Sequence, residues 1–523
     1  MQRRNFLGLA ASLSVFSVVG SAQCAPSELS DDCGVASGDP TAEGFVLWTR
    51  IPSVFQDATA ASQTILCEVS NSATQFEQGI VFQQTLETNS FHDFTVKLRV
   101  HGLQPFARYF YRFSTPTGYV SAVGRAMTAP APETTVESLK FAYLSCQDFT
   151  AGYYGVYKAL ASDDVHYCVH LGDTIYEHGS KHNKLGPERI DTIGGGEAKT
   201  LDDYRAKYKL YLTDAAFREA RRLFTWICLP DDHEVRNDYS GLDPTLEQRR
   251  KAAYKAYFEF NPIDSSLLNG AVATFHRRID LGRLASLYAM DERQYRDLPA
   301  CEKGYVTKTC AERERSDRTM LGHLQMQQLK NDLCENQAQY KVLLSEVMMM
   351  PFYAIKRPDN ILKTSQEDAL AHSIFADRNL YANLDAWDGF PAERTNLLQA
   401  FADKNVKNIH VWTGDIHNCF VGNVLADKTP VATEIVVGSV TSAGFGEVFP
   451  LWSARTVQPL VRAANQHMAY TDLITHMYMR AELTPTHARY DALSVPSIRH
   501  ENVKPYCSMT LFVRADTTEI FVK

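Results

Sequence analysis

The stretch VHLGDTIYEHGS, residues 169–180, decides how the chain is read. An apolar run halts at Gly172-Asp173, and Tyr176 and Glu177 follow within four residues. One reading is turn chemistry, with the aspartate bonding its own backbone. The other is a buried strand that ends by aiming a carboxylate and a phenol at one hard cation. The choice depends on whether other strands end the same way.

They do. LKFAYL runs into Ser145-Cys146-Gln147-Asp148, FTWICL into Asp231-Asp232-His233-Glu234 and then Arg236-Asn237-Asp238, and NIHVWT into Gly414-Asp415-Ile416-His417-Asn418. These runs alternate with helical patterns such as LDDYRAKYKLYLTDAAFREARRL, DPTLEQRRKAAYKAYFEF and PAERTNLLQAFADKNV. Near-continuous apolar strands between helices predict a buried sheet with helices on its faces. In such folds chemistry gathers on loops beyond the strand ends. A lone buried cysteine is usually a small hydrophobe, but four strand ends carrying Cys, Asp, Tyr or His exceed turn preference.

The residue types point to metal. Asp415 and His417 are two apart, so an extended chain would send both to one face. Carboxylates alone suit calcium or magnesium. A thiolate, a phenolate and an imidazole together suit a strongly Lewis-acidic, redox-capable ion. A tyrosine, with a pKa of about 10 in water, is held as phenolate at neutral pH only by an ion such as Fe(III). The mixture predicts a two-part site, iron beside calcium or another hard ion.

The remainder of the chain sets the context. Its 523 residues exceed one ordinary domain, and 45% hydrophobic with 22% charged residues is a globular composition. A formal charge of −8 argues against nucleic acid as a partner. Residues 1–22 carry Arg3-Arg4-Asn5-Phe6-Leu7, an apolar stretch and small residues, which reads as a twin-arginine export signal or a general secretory one. Export implies the twin-arginine machinery as a partner, a periplasmic or secreted location and no stable membrane anchor. Residues 30–130 hold short β-rich runs at the spacing of a fibronectin-like sandwich, and APAPETTVES, residues 129–138, is a linker. The α/β domain then spans 138–523. Cys301 and Cys310 flank a short charged loop and form the expected disulfide in an oxidising compartment.

SCQ, GDTIYE, DDHEVRN and GDIHN in this order, with MDERQYRD (residues 290–297) and TEIVVGSVTSAGF (residues 433–445), resemble the PhoD-type alkaline phosphatases and phosphodiesterases of the calcineurin-like metallophosphoesterase superfamily. The likeness extends over essentially the whole mature chain. It implies a metallophosphoesterase domain with a central β-sandwich flanked by helices. It also implies that Cys146, Asp173, Tyr176 and His417 hold Fe(III), with Asp173 bridging to one or two calcium ions on Asp232 and Asp415. His233 and Arg205 would be catalytic, contacting the phosphoryl group of a mono- or diester as a metal-activated water attacks phosphorus. Two features depart from the family: Pro230 stands where a tryptophan is more common, and the chain ends in a strand-like TEIFVK, which implies an open mouth. Arg293 is assigned either to the site or to the fold, Asp231 and Glu234 to loop order, Asn237 and Asp238 to local structure, and His178 to the surface. The inserts 181–200 and 355–390 are lids or plain surface. Two alternatives remain: a diesterase specialised for phospholipid or another polymer, and a non-enzymatic, metal-stabilised surface protein.

Overall fold

The computed structural model describes residues 31–180, 189–270, 272–301, 307–354, 380–448 and 451–523. Residues 1–22, expected as an export signal, and the insert segments 181–188 and 355–379 lie outside the described residues.

Seven N-terminal strands form two facing layers. Val35–Thr41, Gly44–Arg50 and Thr95–Val100 make one, and Gln63–Ser70, Ile80–Thr88, Arg108–Ser114 and Gly124–Met127 the other. Phe45, Leu47, Ile65, Val69, Tyr109, Tyr111 and Phe113 share the core between them, as the period of two in RYFYRF requires. The three-stranded layer does not end at the linker. Val35–Thr41 pairs in parallel with Thr225–Cys228, Ser37 opposite Thr225 and Gly38 opposite Trp226. A Cβ on Gly38 would lie 2.1 Å from the Pro262 carbonyl and 2.7 Å from that of Trp226, so only glycine permits this approach. One ten-stranded sheet therefore runs through both segments.

The larger segment is layered. Leu139–Leu144, Tyr167–His170 and Thr225–Cys228 lie side by side in parallel within the ten-stranded sheet. A second sheet of seven strands includes Ala285–Ala289, Tyr340–Ser345, Ile409–Thr413 and Thr429–Val436, also mutually parallel. Phe141, Tyr143, Val169 and Ile227 meet Leu287, Val342, Trp412 and Ile435 between the sheets, with Tyr143 stacked on Trp412 at 4.7 Å. Alternate residues Ala142, Leu144, Cys168 and Trp226 face an outer helical layer with Val156, Tyr204, Phe217 and Tyr257. Burial on both faces is why these strands read as unbroken apolar runs. Helices His323–Glu335, Pro391–Asp403 and Leu451–Ala464 flank the second sheet.

The run LDDYRAKYKLYLTDAAFREARRL, expected as one helix, is two, Leu201–Tyr211 and Ala215–Leu223. Thr200 and Asp203 form a capping box on the first, and the Asp214 side chain accepts from Ala216 and Phe217 to start the second. Cys301 and Cys310 are disulfide-bonded. The final strand Ile520–Val522 is the outermost of the ten-stranded sheet. Among the described residues no helix is long and apolar enough to cross a membrane.

Candidate metal centre

The carboxyl ends of strands from both sheets converge, and an isolated parallel bridge, Ser145 to Ser439, ties them together. Here Cys146 (φ 59°), Asp173 (φ 58°), Asp415 (φ 65°) and His417 (φ 57°) all adopt left-handed backbone. The conformation is uncommon for residues with a Cβ and clusters at functional sites. It corrects the expectation for Asp415 and His417. The chain does not leave its strand extended; two left-handed residues within a bend turn both side chains inward.

Three groups of ligand atoms result, each within 4.8 Å: Cys146, Asp173 and His417; Asp173, Asp232 and His233; and Asp231, Asp232 and Asp415. Asp173 belongs to the first two and Asp232 to the last two, so the groups form a chain with shared carboxylates. Tyr176 joins the first, since its hydroxyl donates to Asp173 Oδ2 at 2.7 Å and lies 3.3 Å from His417 Nε2. Ser442 Oγ donates to the same phenol at 2.6 Å. His417 Nδ1 lies 2.9 Å from the Ala443 carbonyl. That contact puts the ring proton on Nδ1 and leaves the Nε2 lone pair for an ion.

Glu234 locks the loops around this chain. It accepts from the backbone N–H groups of Asp173 (3.0 Å), Thr174 (2.6 Å) and Asp231 (2.8 Å) and from the Thr174 hydroxyl. Glu177 holds His233 by a 2.6 Å contact to Nδ1 and accepts from Asn237 N–H at 3.0 Å. Asp238 N–H donates to Asp232 Oδ2 at 2.5 Å.

The electrostatics fit a cation site. Burial, reinforced by Asp173, pushes the Cys146 thiol well above its ordinary value. Burial does the same to the Tyr176 phenol, to Asp173 and to Asp231. Asp415 is raised to about 7 by burial and by Asp232, against the opposing pull of Arg293. Burial lowers His417 to about 4, a neutral ligand form. His233 moves the other way. Burial opposes its charge, yet Glu177, Asp232 and Asp173 raise it well above 6.5. Crowded acids held away from water demand positive charge.

Arg205 stands apart from this centre. Its Nε and Nη2 grip Glu259 at 2.7 Å each, and Nη2 also donates to the Phe91 carbonyl at 2.6 Å. The helix turns Tyr204, whose hydroxyl donates to the Val235 carbonyl, toward the loops and turns Arg205 toward helix Glu247–Phe260. The guanidinium is a clamp between that helix and the N-terminal layers. Arg293, by contrast, is in the site: it pairs with Asp231 (2.6 Å), Asp415 (2.7 Å), Asp232 (3.8 Å) and Asp385. Asp231 therefore does more than order its loop. His178 is half-buried, its ring 5.2 Å from Tyr176 and 5.4 Å from His233.

The structure brings Ser439, His476 and Glu447 together, at 3.0 Å and 2.9 Å. Ser439 is wholly buried and donates to the Ser442 carbonyl at 2.5 Å. It therefore braces the loop that carries Ser442 and Ala443 and is no nucleophile.

Residues 141–492 match the family described as PhoD-like phosphatase, and residues 19–130 match its N-terminal domain. The chain belongs to the PhoD-like phosphatase family. It is 32% identical over 481 residues to alkaline phosphatase D of Bacillus subtilis (strain 168), covering 89% of this chain and 77% of that one. A solved structure of PhoD superposes with a TM-score of 0.81 at 29% identity, covering 94% of this chain and 91% of the other. The protein is thus a phosphatase whose fold is that of PhoD, and phosphate esters are its substrate class.

Proposed function

We propose that this PhoD-like phosphatase is an exported, metal-dependent hydrolase of phosphate mono- and diesters that serves phosphate acquisition. The observation that carries the reading is the chain of three ligand groups sharing Asp173 and Asp232. The donors fit iron at one end, where Cys146, Asp173, Tyr176 and His417 would hold Fe(III), and calcium beyond, where Asp173, Asp232 and Asp415 would hold it. Bound there, the ions supply Lewis acidity that activates water and offsets phosphoryl charge.

The protein's own groups do the rest. Glu177 fixes the ring of His233 and favours its protonated form. A protonated His233 beside Asp173 and Asp232 stabilises charge on the non-bridging oxygens and delivers a proton to the leaving alkoxide. Glu234 holds the Asp173 and Asp231 turns so that their carboxylates are already placed. Export would follow from the Arg3-Arg4 signal.

The test uses chromogenic mono- and diesters in parallel, with and without a calcium chelator, while the visible spectrum is recorded. Expected are activity on both esters, loss on chelation, and a phenolate-to-iron charge-transfer band that Tyr176→Phe abolishes. A colourless, iron-free and fully active enzyme sinks the iron assignment, and activity indifferent to metal removal sinks the whole reading.

A further inference from the structure

Arg293 is 1% exposed, so it cannot present its guanidinium to a substrate in solvent. Its three nitrogens are instead distributed among carboxylates. Nε faces Asp231 Oδ1 at 2.6 Å, Nη2 faces Asp415 Oδ1 at 2.7 Å with Asp232 Oδ1 at 3.8 Å, and Nη1 faces Asp385. The residue is held from behind, since Glu346 accepts its backbone N–H at 2.9 Å and its carbonyl accepts from Gly241 at 2.8 Å. Arg296 flanks Asp385 at 2.7 Å. A buried group surrounded by acids in this way does the work of a cation.

Three of those acids, Asp231, Asp232 and Asp415, form the third ligand group. Asp231 divides its carboxylate between two tasks. Its Oδ1 serves Arg293, while its Oδ2 is buried with no hydrogen-bond partner. A buried, unsatisfied carboxylate oxygen is costly unless an ion takes it. Even counting only the four carboxylates that touch Arg293, the two guanidiniums leave a formal charge of −2, and Asp173 and Asp238 stand close by.

We propose that Arg293 is a tethered cation that shares Asp231, Asp232 and Asp415 with one divalent ion and takes the place a further ion would fill. The inference rests on the proposed binding of divalent ions to these groups. It gives Arg293 a positioning and charge-balancing role, with no contact to substrate.

The experiment counts ions. The full chain and its Arg293→Met and Arg293→Lys variants are stripped with chelator and dialysed to equilibrium against calcium. Bound calcium is measured by atomic emission, and thermal unfolding is followed across the same calcium series. Wild type and Arg293→Lys should bind equal amounts. Arg293→Met should bind one further equivalent per chain, and its unfolding midpoint should climb more steeply with calcium. Should Arg293→Met fold poorly, calcium in the refolding buffer should restore it. Equal calcium counts with parallel midpoints overturn the proposal, as does a misfolded variant that calcium leaves unrepaired. A wild type that binds no divalent ion instead refutes the metal reading beneath it, so the two failures are told apart.

Discussion

Replacing Glu177 by Gln isolates what sets the charge on His233. Glu177 Oε2 stands 2.6 Å from His233 Nδ1, and both side chains are shielded from solvent. Charge centres about 4 Å apart in a medium of effective dielectric ~20 attract by about 4 kcal/mol, which favours the imidazolium. Glutamine keeps an acceptor for Nδ1–H, and Asp173 and Asp232 would lose most of their hold on the ring on binding cations. The net effect is a fall in the pKa of the ring. If protonated His233 donates to the leaving group, kcat/KM declines as pH rises through its pKa. A lowered pKa therefore shifts the alkaline limb to lower pH. The assay is the pH profile of kcat/KM on an activated and a poorly activated monoester. The shift should be larger in consequence for the poor leaving group, which needs the proton more. An alkaline limb that coincides with wild type on both esters would refute His233 as the acid.

Two further outcomes follow from residues outside the centre. Arg205→Ala should leave KM for a monoester within about twofold while costing about 3 kcal/mol in urea unfolding, the low end for a broken buried pair because Lys255 still reaches Glu259; a large loss of kcat/KM at unchanged stability would restore the phosphate role. His170 and His410 are buried and lowered to about 3 by that burial, below the ~6.5 of the unfolded chain. The folded state then binds fewer protons, so stability is complete above pH ~6.5 and each residue costs about 1.4 kcal/mol per unit as pH falls below it. His410→Gln should flatten the decline in urea midpoint between pH 7 and 5, and an unchanged decline would show that His410 is not one of its causes.

What the sequence made legible was whatever a strand end declares by itself. Cys146, Asp173, Tyr176, Asp232, Asp415 and His417 each follow an apolar run, and burial of those runs on both faces made the strands easy to see. The partner of Arg205 was not legible because a helix pattern gives periodicity but not which neighbour a charged face will meet; Glu259 lies 54 residues away. Arg293 lies within MDERQYRD, but its place is not legible there, because its partners come from three separate loops. Asp385 follows no strand with a repeating pattern and offered no signal. Ser442 and Ala443 act through one hydroxyl and one carbonyl, which sequence composition does not reveal. The continuity of the N-terminal layer with the large sheet rests on two residue pairs, too short a contact for hydrophobic pattern to encode.

The left-handed backbone explains why the ligands are so compressed along the chain. Two of the four residues that adopt it, Asp415 and His417, are separated only by Ile416. In an extended segment their side chains would point one way but stand about 7 Å apart, too far for both to reach the ligand groups that share Asp173 and Asp232. Each non-glycine residue in this conformation costs on the order of 1 kcal/mol. The structure offsets that locally: Ala443 fixes His417, Arg293 fixes Asp415, and Glu234 gathers the Asp173 turn. A loop made inward-pointing by strain and hydrogen bonds assembles its acids before any ion arrives, and their mutual repulsion becomes part of what a cation relieves. The same preorganisation that makes this centre unfavourable without positive charge is what would let it hold cations tightly with so few residues.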